Sequence, residues 1–183
     1  MVLLYSPPGS TGAVAADFSL PGVDGRVHAL ADYAQASVLV VMFICNHCPY
    51  VQAVEGRLIA LATELKGQGV AFVAINSNDP VSYPEDNFEN MKKRAKEHHY
   101  PFDYLMDQSQ DVARAYGAVC TPDFFVFDAG RTLRYRGRLD DSPRNPAAVR
   151  NQEMKQAILA LLAGEVVAEP QHGSMGCSLK WRA

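Results

Sequence analysis

Val38 to Ile44 is an unbroken apolar run, Val-Leu-Val-Val-Met-Phe-Ile. That pattern predicts a strand buried on both faces of a sheet. After the short stretch Cys45-Asn46-His47-Cys48-Pro49 the period changes. Val51, Val54, Leu58, Leu61, Ala62 and Leu65 recur at helical spacing, and Gly67 and Gly69 end the helix they predict. Val70 to Ile75 reads as a second buried strand, closed by the polar stretch Asn76-Ser77-Asn78-Asp79-Pro80. Pro84 to His99 reads as a charged helix with a largely solvated surface. Phe102 to Met106 predicts a third strand, and Asp111 to Tyr116 a short helix stopped by Gly117. Phe124 to Phe127 and Thr132 to Arg136 flank the turn Asp128-Ala129-Gly130 and predict a hairpin. Asn145-Pro146 is expected to cap a last helix carrying Met154, Ile158, Leu161 and Leu162 on one stripe, with Gly164 beyond it. Near the start, two short apolar segments around Pro21 to Gly25 predict an N-terminal β-hairpin. No period is visible from Glu165 onward.

The order is a hairpin, then β-α-β-α-β-α, then a second hairpin and a final helix. It predicts an α/β fold with a central mixed sheet and helices on both faces. At 183 residues and 48% hydrophobic content the chain has material for one sizeable core. Residues 1–183 are therefore read as a single domain, with 165–183 a C-terminal tail. Seventeen basic residues against twenty acidic ones give a net charge of -3. With no basic excess, neither nucleic acid nor an anionic membrane surface is an expected partner. The longest near-continuous apolar run, Val38 to Cys45, is far short of the roughly 20 residues of a membrane span. The N-terminal stretch lacks the charged and apolar regions of a secretory signal, so the expected location is the cytoplasm.

Cys45 and Cys48 form a Cys-x-x-Cys pair, while Cys120 and Cys177 stand alone. In a reducing compartment such a pair points to catalysis or metal binding. Its position, between a buried strand and a helix, favours reactivity, because the helix N-terminus stabilises a thiolate. One thiol can attack a substrate disulfide and the other resolve the mixed disulfide. Thr121-Pro122, just before a strand, is about where a cis-proline loop would face the cysteines. Zinc needs four ligands, and the chain has no second Cys pair. His98-His99 reads as part of a solvated helix face, and His28 and His172 lie in turn-rich or loose segments, so no resident metal is expected. Cu(I), which suits soft thiolates, stays open as a reading in which the fold is a copper chaperone.

Several segments together carry a family resemblance: Asp17-Phe-Ser-Leu-Pro21, Cys45-Asn-His-Cys-Pro-Tyr-Val51, Asn76-Ser-Asn-Asp79 with Tyr83-Pro-Glu-Asp86, Asp111-Val-Ala-Arg-Ala-Tyr-Gly117, Cys120-Thr-Pro-Asp-Phe-Phe125, Tyr135-Arg-Gly-Arg-Leu-Asp-Asp141 and Gly176-Cys-Ser-Leu-Lys-Trp181. The chain resembles the thioredoxin-fold proteins of the peroxiredoxin-like AhpC/TSA superfamily, in the branch carrying Cys-Asn-His-Cys-Pro-Tyr-Val. The resemblance implies a thioredoxin-like fold and a thiol–disulfide oxidoreductase without an organic cofactor. Its substrates would be disulfides or peroxides, and a dithiol such as thioredoxin its reductant. By the same resemblance Cys45 is the attacking thiol, Cys48 the resolving thiol and Pro122 the cis-proline, with Thr121 before it. Pro49 is nevertheless expected at the first helical position, which makes Cys48 the N-cap. Thioredoxins commonly carry a buried acid in the strand before the motif; Val38 to Ile44 has none, leaving water or His47 to move the proton.

His47 between the cysteines resembles disulfide isomerases, because an imidazolium stabilises the thiolate and makes the disulfide more oxidising. A potential near about -180 mV against a cytosol near about -240 mV would leave roughly a hundredfold excess of dithiol. Peroxiredoxins use Pro-x-x-x-Thr-x-x-Cys. Counting back from Cys45 gives Met42 and Val38, and from Cys48 gives Cys45 and Val41, so neither frame supplies the motif. Thr121 stands where the family tends to carry an Arg. A peroxidase with Cys45 as peroxidatic thiol is thus the alternative, with Asn46, His47, Arg136 or Arg138 as substitute donors. Cys120 reads as a packed core cysteine close to the pair. Cys177 is either a resolving thiol on a tail that swings or one tucked against the domain. Asn76, Asn78 and Asp79, at a strand end, either line the crevice or serve the turn.

Overall fold

The computed structural model describes residues 2–7 and 11–182. Its chain order is β1 (Leu3–Tyr5), β2 (Ser19–Pro21), β3 (Val27–Ala29), β4 (Val38–Phe43), α1 (Pro49–Glu64), β5 (Val70–Asn76), α2 (Phe88–Glu97) and β6 (Asp103–Met106). It continues with α3 (Asp111–Tyr116), β7 (Cys120–Thr121), β8 (Asp123–Phe127), β9 (Leu133–Gly137), α4 (Glu153–Leu162) and β10 (Met175–Ser178). The central sheet has the order β6-β5-β4-β8-β9. β4, β5 and β6 are parallel, whereas β8 and β9 run antiparallel to their neighbours. This is the mixed α/β architecture the alternating pattern predicts, with the N-terminal hairpin formed by β2 and β3.

β4 sits in the middle because both its faces can be buried. Val41 pairs with Val73 on one side and Phe125 on the other. Val40 and Met42 pack with Leu58 of α1, Met91 of α2 and Met154 of α4. Leu39, Val41 and Phe43 face Phe18, Leu20, Val112 and Phe125 across the opposite side. The strand's C-terminal end therefore delivers Cys45 and Cys48 to a fixed place above two apolar layers.

Three elements depart from the periodic reading. The expected Pro84–His99 helix is broken: Pro84–Asp86 is a 3-10 turn, Asn87 is extended (φ -67, ψ 162), and α2 starts at Phe88. The Asn87 side chain caps α2 by accepting from Asn90 N. The break points Asp86 inward instead of leaving it on a solvated helix. Likewise Asn145-Pro146 caps only the 3-10 turn Pro146–Ala148, and α4 begins six residues after Asn145's partner Ala147, at Glu153. The backbone N–H of Arg150 is held instead by Asp141 at 2.9 Å.

The third departure is the tail. Met175–Ser178 forms β10, the middle strand of a small antiparallel sheet in the order β1-β10-β7. Cys177 lies opposite Leu3 on one side and Thr121 on the other. The approach is close: a Cβ added at Gly176 would collide with the Thr121 carbonyl oxygen, and one at Gly173 with that of Ser6. Glycine-bearing and only four residues long, the strand has no alternation to betray it. Among the described residues, no helix is long and apolar enough to cross a membrane.

Met91 is the buried side chain by which α2 docks. Met91→Ala should cost about 2–5 kcal/mol in guanidinium unfolding, whereas Lys92→Ala, on the same helix but outside the core, should stay within about 0.5 kcal/mol.

Candidate active site

Cys48 is the N-cap of α1, with extended backbone (φ -72, ψ 121), and Pro49 occupies the first helical turn. The loop before it is held from outside by one residue. Asp86 Oδ1 accepts from the backbone N–H groups of Asn46 at 2.7 Å and His47 at 3.3 Å. Its Oδ2 accepts from His47 Nδ1 at 2.6 Å and Asn78 Nδ2 at 2.7 Å. Asp86 has no exposed surface. Asn46 is fixed in turn, donating to the Glu85 carbonyl at 2.8 Å and accepting from Tyr104 at 3.0 Å. The His47 ring stacks on Tyr83, centroids 5.2 Å apart and planes 10° apart. Its Nε2 is buried with no hydrogen-bond partner among the described residues.

Both thiols are covered, Cys45 with 1% of its surface exposed and Cys48 with none. Each acts on the ionisation of the other, and Cys177 acts on that of Cys48. Thr121 closes over the pair. Its hydroxyl lies 3.3 Å from Cys45 Sγ, and its carbonyl accepts from the Cys48 thiol at 3.1 Å. The Thr121-Pro122 peptide is cis. Cys120, one residue earlier, makes only weak contacts to the carbonyls of Pro122 and Ser174 at 3.6 and 3.9 Å. Burial pushes its thiol far up, which suits a packed rather than a reacting cysteine.

The two site thiols are unequal. Burial pushes Cys45 well above the ordinary thiol range, and the charges of Asp86 and Cys48 add to this. The Cys45 hydrogen bond is the largest effect pulling Cys48 the other way, helped by Cys177 and the Val51 N–H against the cost of burial; Cys48 comes down to about 4. Ionisation would give up the bond to the Thr121 carbonyl, so the surroundings favour the thiolate on Cys48 while the geometry described keeps it a thiol donor. This differs from the assignment by resemblance, in which Cys45 attacks, and agrees with the N-cap position of Cys48. Asp86 also holds His47 up, chiefly through their hydrogen bond. Burial acts to raise Asp86 itself, but His47, Asn78 and the Asn46 N–H outweigh it, leaving the carboxylate below its usual range. The His47–Asp86 pair thus places positive charge toward Cys48 and negative charge toward Cys45.

Asn46, His47, Asn78, Thr121 and Pro122 all come together at this site, and Cys177 joins it as a tucked, not a swinging, residue. Asp86, Tyr83 and the Lys180 backbone, which donates to Asn78 Oδ1 at 2.9 Å, were not picked out as functional. Asp86 lies in the segment Tyr83-Pro-Glu-Asp86 that carried part of the resemblance, yet its charge placed it on a solvated face. Arg136 donates to Asp123 at 3.0 Å and to the Gly117 carbonyl at 2.7 Å, and Arg138 pairs with Glu153, so both candidate peroxide donors are engaged elsewhere. Cys45, His47 and Asp86 bring one donor atom each within 4.8 Å of one another, as do Asp24, His28 and Asp103 at the N-terminal hairpin. In the first trio Asp86 already saturates four donors, so a soft metal there would draw on the thiolates and His47.

Residues 11–136 match the AhpC/TSA family model. The chain belongs to the AhpC/TSA family. Among curated relatives of this AhpC/TSA protein is the thiol-disulfide oxidoreductase ResA of Geobacillus thermodenitrificans, 27% identical over 121 residues, 65% of this chain. The match spans only 64% of that relative's length. An uncharacterized conserved protein from Geobacillus kaustophilus is 49% identical over 100% of this chain and 97% of its own, with a TM-score of 0.95. A hypothetical protein from Sinorhizobium meliloti is 43% identical over 98% of both chains, with a TM-score of 0.94. A putative thiol:disulfide interchange protein DsbE from Chlorobium tepidum, 24% identical, covers 84% of this chain and 98% of its own at a TM-score of 0.67. It shares the thioredoxin-like fold.

Thiolate absorbance at 240 nm of the reduced AhpC/TSA protein should show one group titrating well below the ordinary thiol value of 9, and Cys45→Ala, which removes the donor, should move that midpoint upward. A midpoint near 9, the ordinary thiol value, would refute the Cys48 assignment. Asp86→Asn should cost about 2–4 kcal/mol in unfolding at pH 7. A depressed carboxylate stabilises the fold above its ordinary value of 3.8, and that contribution is lost as the pH falls through its folded value. The deficit of the variant should therefore shrink below about pH 4, where the wild type is itself being protonated.

Proposed function

We propose that this protein is a thiol–disulfide oxidoreductase that cycles Cys45 and Cys48 between dithiol and disulfide. The observation that carries the reading is the Cys45/Cys48 pair at the N-terminus of α1, with Cys48 as its N-cap and both sulfurs held against Thr121, 3.3 Å from its hydroxyl and 3.1 Å from its carbonyl, before the cis Pro122. Cys48 thiolate attacks one sulfur of a substrate disulfide, forming a mixed disulfide and releasing one substrate thiolate. Cys45 then attacks Cys48 Sγ, closing the Cys45–Cys48 bond and expelling the second substrate sulfur. The Cys45 proton leaves with a departing thiolate, so two electrons and one proton pass to the substrate. A dithiol reductant such as thioredoxin restores the starting state.

The inequality of the thiols sets the direction of the equilibrium. A thiolate stabilised on Cys48 favours the reduced protein, so the disulfide is the more oxidising form. Titration against glutathione should give a potential less negative than the about -270 mV of thioredoxin. The resting dithiol then suits substrates that are themselves strong oxidants. His47 contributes positive charge beside Cys48, and burial, with Asp86 adding to it, keeps Cys45 protonated until Cys48 has reacted.

Stopped-flow reaction of the reduced protein with a small disulfide and, separately, with hydrogen peroxide tests this reading. Fast exchange is expected with the disulfide and slow reaction with peroxide. Cys48→Ser should abolish exchange, and Cys45→Ser should slow release of the second substrate thiol by at least about tenfold. Fast peroxide consumption that depends on Cys48 would overturn the reading in favour of a peroxidase.

A further inference from the structure

Three sulfurs, not two, converge on Thr121. The Cys48 thiol donates to the Thr121 carbonyl at 3.1 Å, Cys45 lies 3.3 Å from the Thr121 hydroxyl, and Cys177 is the β10 residue paired with Thr121 across the ladder. Cys48 Sγ and Gly176, the residue before Cys177, lie against the same Thr121 carbonyl oxygen. All three belong to one buried cluster. The backbone edge of Thr121 that faces Cys48 is covered by β10, whose Gly176 packs against the Thr121 carbonyl too closely for any side chain. An extended peptide that reached Cys48 along this edge would pair as β10 does, by strand addition.

We propose that Cys177 is a second disulfide partner of Cys48, presented by β10 in the position that an extended peptide substrate would take along Thr121. The inference rests on the reading of Cys48 as the exchanging thiolate. The chemistry adds one step to the cycle. When Cys48 is joined to a substrate sulfur, Cys177 attacks Cys48 Sγ, forms the Cys48–Cys177 bond and expels the substrate sulfur, which takes up the proton that Cys177 gives up. Cys45 can then attack the same Cys48 sulfur, form Cys45–Cys48 and return Cys177 to the thiol. Both closures move the same two electrons, and the exchange between them moves none.

The local electrostatics suit this order. Burial, followed by the neighbouring Cys48, pushes the Cys177 thiol up to about 12, so it waits as a donor to the thiolate. Once Cys48 is covalently joined, its contribution disappears and Cys177 ionises more readily. β10 is anchored independently of the sulfurs, because Ser178 N donates to the Val2 carbonyl at 2.9 Å and Leu179 N to that of Val119 at 3.1 Å. Cys177 is thus supplied by a paired strand and requires no swinging tail.

The test is disulfide mapping of the folded full chain by mass spectrometry under non-reducing conditions, after one equivalent of diamide. Cys45→Ser should lose two thiols and yield the Cys48–Cys177 linked peptide. Adding Cys177→Ser to it should leave Cys48 joined to an added glutathione, with release slowed at least about tenfold. Wild type should contain Cys45–Cys48 with a minor share of Cys48–Cys177. A Cys45→Ser protein that keeps its mixed disulfide, or links Cys48 to Cys120 instead, overturns the proposal while leaving the Cys45–Cys48 cycle intact. Conversely, wild type that never forms Cys45–Cys48, beside a Cys45→Ser protein that forms Cys48–Cys177, refutes the two-cysteine cycle and supports the proposal. Circular dichroism of each variant separates a lost thiol from a lost fold: a variant that unfolds is replaced by Cys→Ala at the same position, and the same linkages are expected.

Discussion

A buried carboxylate organises this site. Asp86 is fully enclosed, and a lone charge there would be costly; four hydrogen-bond donors make it tolerable. Three of those donors belong to Asn46 and His47, the two residues between the cysteines, so solvating Asp86 and shaping the Cys-x-x-Cys loop are the same event. The fourth, Asn78, ties the loop to the end of β5. Removing charge from Asp86 would leave both the loop and the His47 ring without their common anchor.

The same arrangement makes two chemically identical side chains different. Cys45 and Cys48 share one helix N-terminus and one covering residue, Thr121. They differ in what surrounds them: Asp86 acts unfavourably on Cys45, whereas Cys48 has the Val51 N–H and two thiol donors. The surroundings thus distinguish two thiols that spacing alone leaves equivalent.

Most of the fold was legible because its strands are buried on both faces. A run such as Val38 to Ile44 has few alternatives, and the helix after it announces itself by period and by Pro49. The Cys-x-x-Cys, Thr121-Pro122 and the N-cap position of Cys48 were legible for the same local reasons. Asp86 was not, since a carboxylate in a charged segment ordinarily faces water, and three of its four donors lie some forty residues away in sequence. β10 was illegible for the opposite reason. It is short, carries Gly176 for a backbone contact and takes its partners from the start and the middle of the chain, none of which leaves a periodic trace.

The small sheet has a topological consequence. β1 and β10 lie side by side, with Leu3 opposite Cys177, so the first and last strands of the chain meet at the sulfur cluster. Any segment joined before Val2 or after Arg182 is tethered beside the redox centre, at an effective concentration on the order of millimolar for a short flexible linker. Attachment at either end is therefore a form of substrate presentation. A disulfide carried by such a segment would meet the sulfur cluster at that concentration, whatever its affinity as a separate molecule.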